Sequence, residues 1–83
     1  MTRCDDLHAR ARANPASLRF TEACTLAECF GWVLARQRGS HRIFQRPGSM
    51  HLLNLQDVNG MAKPYQVRQL LAAIDDVATG PRP

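Results

Sequence analysis

Eighty-three residues, 45% hydrophobic and 22% charged, make one small globular domain, too short for two cores and too apolar for wholesale disorder. No stretch approaches the roughly 20 apolar residues of a membrane span. The start MTRCDDLHARAR has no apolar core of a secretion signal, so the cytoplasm is the expected location. The formal charge of +4 is unevenly placed: between Glu28 and Asp57 there is no acidic residue, while Arg36, Arg38, Arg42 and Arg46 all fall there. Clustering of one sign is what a phosphate-binding surface needs, although a solvated strand face uses charge in the same way.

In chain order, Cys4 to Ala13 has Asp5 and Asp6 at one end and Arg10 and Arg12 at the other, the polarity a helix dipole favours. Asn14-Pro15 breaks that helix. Leu18 to Phe20 lead to a second helix with Thr21 as the expected N-cap, an apolar stripe of Ala23, Leu26, Ala27 and Phe30, and Gly31 at the C′ position. From Trp32 to Gln56 the period falls to two. Trp32-Val33-Leu34 opens a strand, Arg38-Gly39-Ser40 turns it, Ile43-Phe44 sits in a second, and Arg46-Pro47-Gly48-Ser49 turns again. His51 to Gln56 forms a third, with Leu53 and Leu55 on one face and Asn54 and Gln56 on the other. Asn59-Gly60 closes this region. Lys63-Pro64 begins a last helix with Val67, Leu70, Leu71, Ile74 and Val77 as its apolar stripe, ended by Gly80-Pro81.

The expected fold class is therefore α+β, in the order α-β-β-β-α, with a three-stranded antiparallel sheet, helices on one face and a short additional N-terminal helix. Residues 1–83 read as one domain: 1–14 a helical extension, 15–78 the core and 79–83 a loose tail. The face away from the helices is where function belongs. Trp32, Phe44, Phe30 and Phe20 are expected in the core.

Cys4, Cys24 and Cys29 are odd in number and lack a CxxC spacing, so they are expected to be reduced thiols, forming neither a disulfide framework nor a metal site. No cofactor is implied. Among the histidines, His8 and His51 have only structural readings. His41 follows a Gly-Ser turn between Arg38 and Arg42, and an imidazole exchanges protons near neutral pH. RNA brings its own nucleophile in the 2′-OH, so one base and nearby cations form a sufficient apparatus for cleavage without a metal. On position alone, His41 serves equally as a turn cap or a phosphate contact. Lys63, the only lysine, stands before a helix N-terminus and reads as a phosphate contact or a solvated loop residue; Tyr65 can stack on a base or be partly buried.

The segment from Gly31 to Phe44, GWVLARQRGSHRIF, resembles the HicA family of bacterial toxins, whose pattern is G-W/F-x-L followed by (K/R)-G-S-H-x-x-(F/Y). Pro15 to Phe30 is similar to the helix before it, and Asn54 to Leu71, NLQDVNGMAKPYQVRQLL, to the closing strand, turn and helix of one branch of the family. The resemblance covers about Asn14 to Ile74. It implies a double-stranded-RNA-binding-domain-like fold, an mRNA interferase acting on RNA (mRNA), and neutralisation by a HicB-type antitoxin. It also implies His41 as the catalytic residue, presented by Gly39-Ser40; the charge clustering and the helix start add Arg36, Arg38, Arg42, Arg46 and Lys63 as the rest of the expected RNA-binding surface. The chain departs from the pattern at Arg42, where many relatives carry a second histidine. The competing readings are a non-catalytic RNA-binding module of the same shape and an interaction protein whose basic face docks an acidic partner.

Overall fold

In the computed structural model, which describes residues 2–79, helix α1 (Arg3–Ala13) starts where Thr2 Oγ1 accepts the Asp5 N–H and stops at Asn14. Asn14 then caps the 3₁₀ turn Pro15–Ser17, its Oδ1 accepting from Ala16 N–H at 3.1 Å. Helix α2 (Phe20–Cys29) begins one residue before the expected Thr21 cap. Arg19 takes the cap position instead, because Glu22 reaches back and accepts the Arg19 N–H at 2.9 Å. At its other end, Gly31 N–H bonds to Glu28 O and Trp32 N–H to Ala27 O, the paired bonds of a Schellman stop with Gly31 at φ 96°.

The sheet is antiparallel in the order β1 (Val33–Arg38), β2 (His41–Gln45), β3 (Leu52–Val58), β4 (Met61–Ala62), followed by helix α3 (Pro64–Thr79). It therefore has the α-β-β-β-α, double-stranded-RNA-binding-domain-like order with a fourth, two-residue strand added. The addition follows from Asn59-Gly60, both at positive φ, which fold the chain back as a tight hairpin and pair Asp57 with Ala62 and Val58 with Met61. The expected Gly80-Pro81 helix stop and the 79–83 tail, Thr79 aside, lie outside the described residues.

The two faces of the sheet follow from its register. Leu34, Phe44 and Leu53 share a row, as do Gln37, Arg42 and Leu55, and both rows point toward the helices. Arg38, His41 and Gln56 form the row on the other face, with Arg36, Ile43 and Asn54 beside them. Helices α2 and α3 pack on β3, where Leu53 and Leu55 are buried, and α2 also packs on β4. The helical cover stops short of β1, every residue of which is exposed, including the helix-side Leu34. Trp32, Phe44, Leu18, Leu26, Leu55, Val67, Leu70 and Ile74 form the centre of the core. Both helical stripes read from the sequence are buried, with Phe30 and Val77 partly so at the margin. Helix α1 adds Leu7 and Ala11 to the same cluster, so the N-terminal extension shares the core of the domain.

The cysteines correct the sequence reading: Cys4 and Cys29 are joined by a disulfide, with Cα atoms 5.9 Å apart, and only Cys24 is free. Spacing along the chain concealed this because the pairing is tertiary. Helix α1 runs antiparallel to α2, which sets its first turn against the last turn of α2, and the Arg10–Glu22 ion pair fixes the same register further along. Arg12 ties α1 to α3 through Asp75.

Candidate nucleic-acid interface

The β1–β2 hairpin places His41. Arg38 and His41 are paired residues, so Gly39 and Ser40 alone make the turn, and Gly39 adopts φ 55°. A glycine in the first central position is what a two-residue II′ hairpin turn requires, and it explains the Gly-Ser order. Ser40 O accepts the Asp57 N–H at 2.9 Å, tying the turn to β3. His41 is half-buried on the open face, between Arg38 on β1 and Gln56 on β3. Its Nδ1 lies 3.3 Å from Asn54 Oδ1.

The far edge of this row is set by α3. Lys63 O accepts from the N–H groups of Gln66 and Val67, which makes Lys63 the residue at the helix mouth. Gln66, though polar, is buried, and its Oε1 accepts the Gln56 N–H at 2.8 Å, replacing a strand partner where β4 has ended. Lys63 is thereby held at the same end of the sheet as His41, with its Nζ 5.8 Å from the centre of the half-exposed Tyr65 ring. Arg36 and Arg38 are exposed on the open face and, among the described residues, their side chains make no ion pair or hydrogen bond.

The other two arginines of the basic segment are used differently. Arg42 follows His41 on the strand and so points to the opposite face, where its guanidinium lies 5.0 Å from the centre of the Phe20 ring and 3.9 Å from Cys24 Sγ. Burial pushes the Cys24 thiol above its ordinary pKa, and the Arg42 charge partly opposes this. Among the described residues, Arg42 Nε has no hydrogen-bond partner. Arg46 donates from Nε to Phe30 O at 2.8 Å and stacks near Trp32, a cation at the C-terminus of α2. A side chain at Gly31 would put its Cβ 3.0 Å from that Nε, so the helix stop and the arginine clasp depend on each other.

The structure thus brings Arg36, Arg38, Gly39, Ser40 and His41 together at one hairpin, with Lys63 at the same end of the sheet, and separates Arg42 and Arg46 from them. It adds Asn54 and Gln56, which the sequence reading had placed on the open face without a role. Their signal was the two-residue alternation of β3 taken together with the register of its neighbour.

The family model for the HicA toxin of bacterial toxin-antitoxin systems matches residues 20–75, more than half of the chain. The chain belongs to the HicA toxin family. No curated protein and no solved structure matches it significantly. The matched region runs from the first residue of α2 into α3, and so includes the whole sheet and the His41 hairpin but not α1 or Cys4.

Proposed function

We propose that this HicA-family toxin is an endoribonuclease, an mRNA interferase, with His41 as its general base. The observation that carries the reading is the position of His41: on the open face, at a hairpin turn, flanked by the unpaired Arg38, in the segment that carries the family pattern. A histidine used for packing would face the helices. His41 takes the proton of a ribose 2′-OH; that oxygen attacks the adjacent phosphorus, the P–O5′ bond breaks, and a 2′,3′-cyclic phosphate and a 5′-hydroxyl result, the leaving oxygen taking its proton from solvent. Arg38 and Arg36 are placed to offset the charge that builds on the phosphoryl oxygens, and Lys63 at the mouth of α3 holds a neighbouring phosphate. Arg42 and Arg46 serve this surface indirectly, by holding the sheet on its helices.

Among the described residues, no three His, Cys, Asp or Glu side chains gather in one place, and the mechanism above assigns no step to a metal. Cleavage is expected to persist in EDTA; activity lost to chelation and regained with a divalent ion would overturn that part. Among the described residues no helix is long and apolar enough to cross a membrane, and a messenger-cleaving toxin would act in the cytoplasm. The partner is a HicB-type antitoxin, which we expect to cover His41 and to bring acidic side chains to Arg36 and Arg38. The deciding experiment is induced expression of the intact protein beside His41→Ala, scoring growth and messenger cleavage. Growth arrest and cleavage are expected from the first alone, with a rate loss of about a hundredfold or more in the second. Equal cleavage by both would end the enzyme reading.

A further inference from the structure

Asn54 stands opposite Ile43 on β3 and diagonal to His41, with both its side chain and the imidazole on the open face. Asparagine is a poor strand residue, and one exposed in mid-strand contributes nothing to the core. What it does contact is the His41 ring, Oδ1 to Nδ1 at 3.3 Å. An amide oxygen only accepts, so a hydrogen bond here requires the proton to sit on His41 Nδ1. A neutral imidazole has a single N–H; with Nδ1 as the donor, Nε2 keeps its lone pair.

We propose that Asn54 is a positioning residue that holds His41 in its Nδ1–H tautomer and leaves Nε2 free to accept the proton of the RNA 2′-OH. This rests on the reading of His41 as the general base. Without a partner on Nδ1, a histidine in water favours the opposite tautomer, in which Nε2 carries the proton and cannot accept one. An amide suits the task better than a carboxylate would. It orients the ring without the negative charge that would stabilise the protonated, inactive form. The charged groups sharing this face, Arg36 and Arg38 on β1, are cations, and the β3 residues Asn54 and Gln56 are neutral.

The test combines a readout without RNA and one with it. In ¹⁵N-histidine-labelled protein above the titration range of the ring, with His41 assigned by its loss in His41→Ala, imidazole NMR is expected to show the Nδ1–H form. Asn54→Leu is expected to move His41 toward the Nε2–H form and to lower kcat on an RNA oligonucleotide about tenfold, with KM changed by less than about twofold. Asn54→Asp restores an acceptor and should recover most of the rate, with the acid limb of the pH–rate profile moved to higher pH because the added charge favours imidazolium. A merely structural asparagine would leave the His41 tautomer unchanged in Asn54→Leu. The proposal is overturned if wild-type His41 carries its proton on Nε2, or if Asn54→Leu cleaves at the wild-type rate. Undiminished cleavage by His41→Ala would instead remove the general-base reading, leaving the tautomer result to be judged by itself.

Discussion

Arg38 and Arg42 are four residues apart on one hairpin and do opposite work. Arg38 lies on the open face beside His41 and has no partner among the described residues, whereas Arg42 crosses to the helix side and rests against Phe20 and Cys24. The contrast extends to the whole sheet. One face, closed by α2 and α3, is built from Phe44, Leu53 and Leu55 and supplies stability; the other exposes Arg36, Arg38 and Asn54 around His41 and is the face we propose for the chemistry. What the difference teaches is that charge counted along a strand overstates a binding surface by about a factor of two, because consecutive side chains leave by opposite faces.

The largest expected effect breaks the closed face. Phe44→Ala removes a ring that is 1% exposed at the centre of the core and should cost about 3–5 kcal/mol, whereas Arg36→Ala on the open face should stay within about 0.5 kcal/mol. Denaturant unfolding of the two variants checks this. A similar loss in both would mean that the open face is packed in solution.

Next is the link that the family pattern does not include. Reducing Cys4–Cys29, or replacing Cys4 by Ser, frees a 25-residue separation in the unfolded chain and should lower stability by about 2–4 kcal/mol. Because α1 also places Leu7 and Ala11 in the core, hydrogen exchange should rise first in α1 and leave the His41 hairpin protected. Faster exchange at the hairpin would show that the disulfide supports the site itself.

Much of this architecture was legible in the chain. The stripes Ala23-Leu26-Ala27 and Val67-Leu70-Leu71-Ile74 gave the helices, and Gly39-Ser40 and Asn59-Gly60 gave the turns, because each rests on local geometry. What escaped depended on tertiary register. The disulfide needed the antiparallel docking of α1 on α2, and the exclusion of Arg42 needed the faces of β2 to be assigned before its charges were counted. The fourth strand had a visible signal in Asn59-Gly60, read as an end when it was a reversal. For Asn54, alternation placed the residue on the open face, but only the pairing of β2 with β3 set it diagonal to His41.

The two arginines sharpen the comparison further. Arg38→Ala should weaken RNA binding and reduce the slope of log affinity against log salt by about one contact, with the melting temperature unchanged. Arg42→Ala should instead lose about 1–2 kcal/mol of stability with the salt slope intact, as a cation over a buried ring is removed. Filter binding across a salt series, beside thermal melts, separates the two. A reduced salt slope for Arg42→Ala in a folded protein would return Arg42 to the RNA surface.

The smallest effect lies on the helix side and depends on pH. The Arg10 guanidinium, helped by the Arg19 N–H, holds the Glu22 carboxyl below the usual carboxylate range. The unfolded chain therefore binds the proton more readily than the folded one, and stability rises with pH across that interval. The contribution is full above the ordinary glutamate pKa of about 4.3 and is lost as pH falls through the lower folded value. Because Arg10 is half-exposed, the pair should be worth no more than about 1 kcal/mol. Glu22→Gln keeps an amide oxygen to accept the Arg19 N–H while removing the charge, so it isolates the ion pair from the helix cap. Unfolding of the two proteins by urea should differ most near neutral pH and converge in acid. No gap at any pH would assign the stabilisation to the hydrogen bond that Gln keeps, and Arg10 would then have no measurable part in holding α1 to α2.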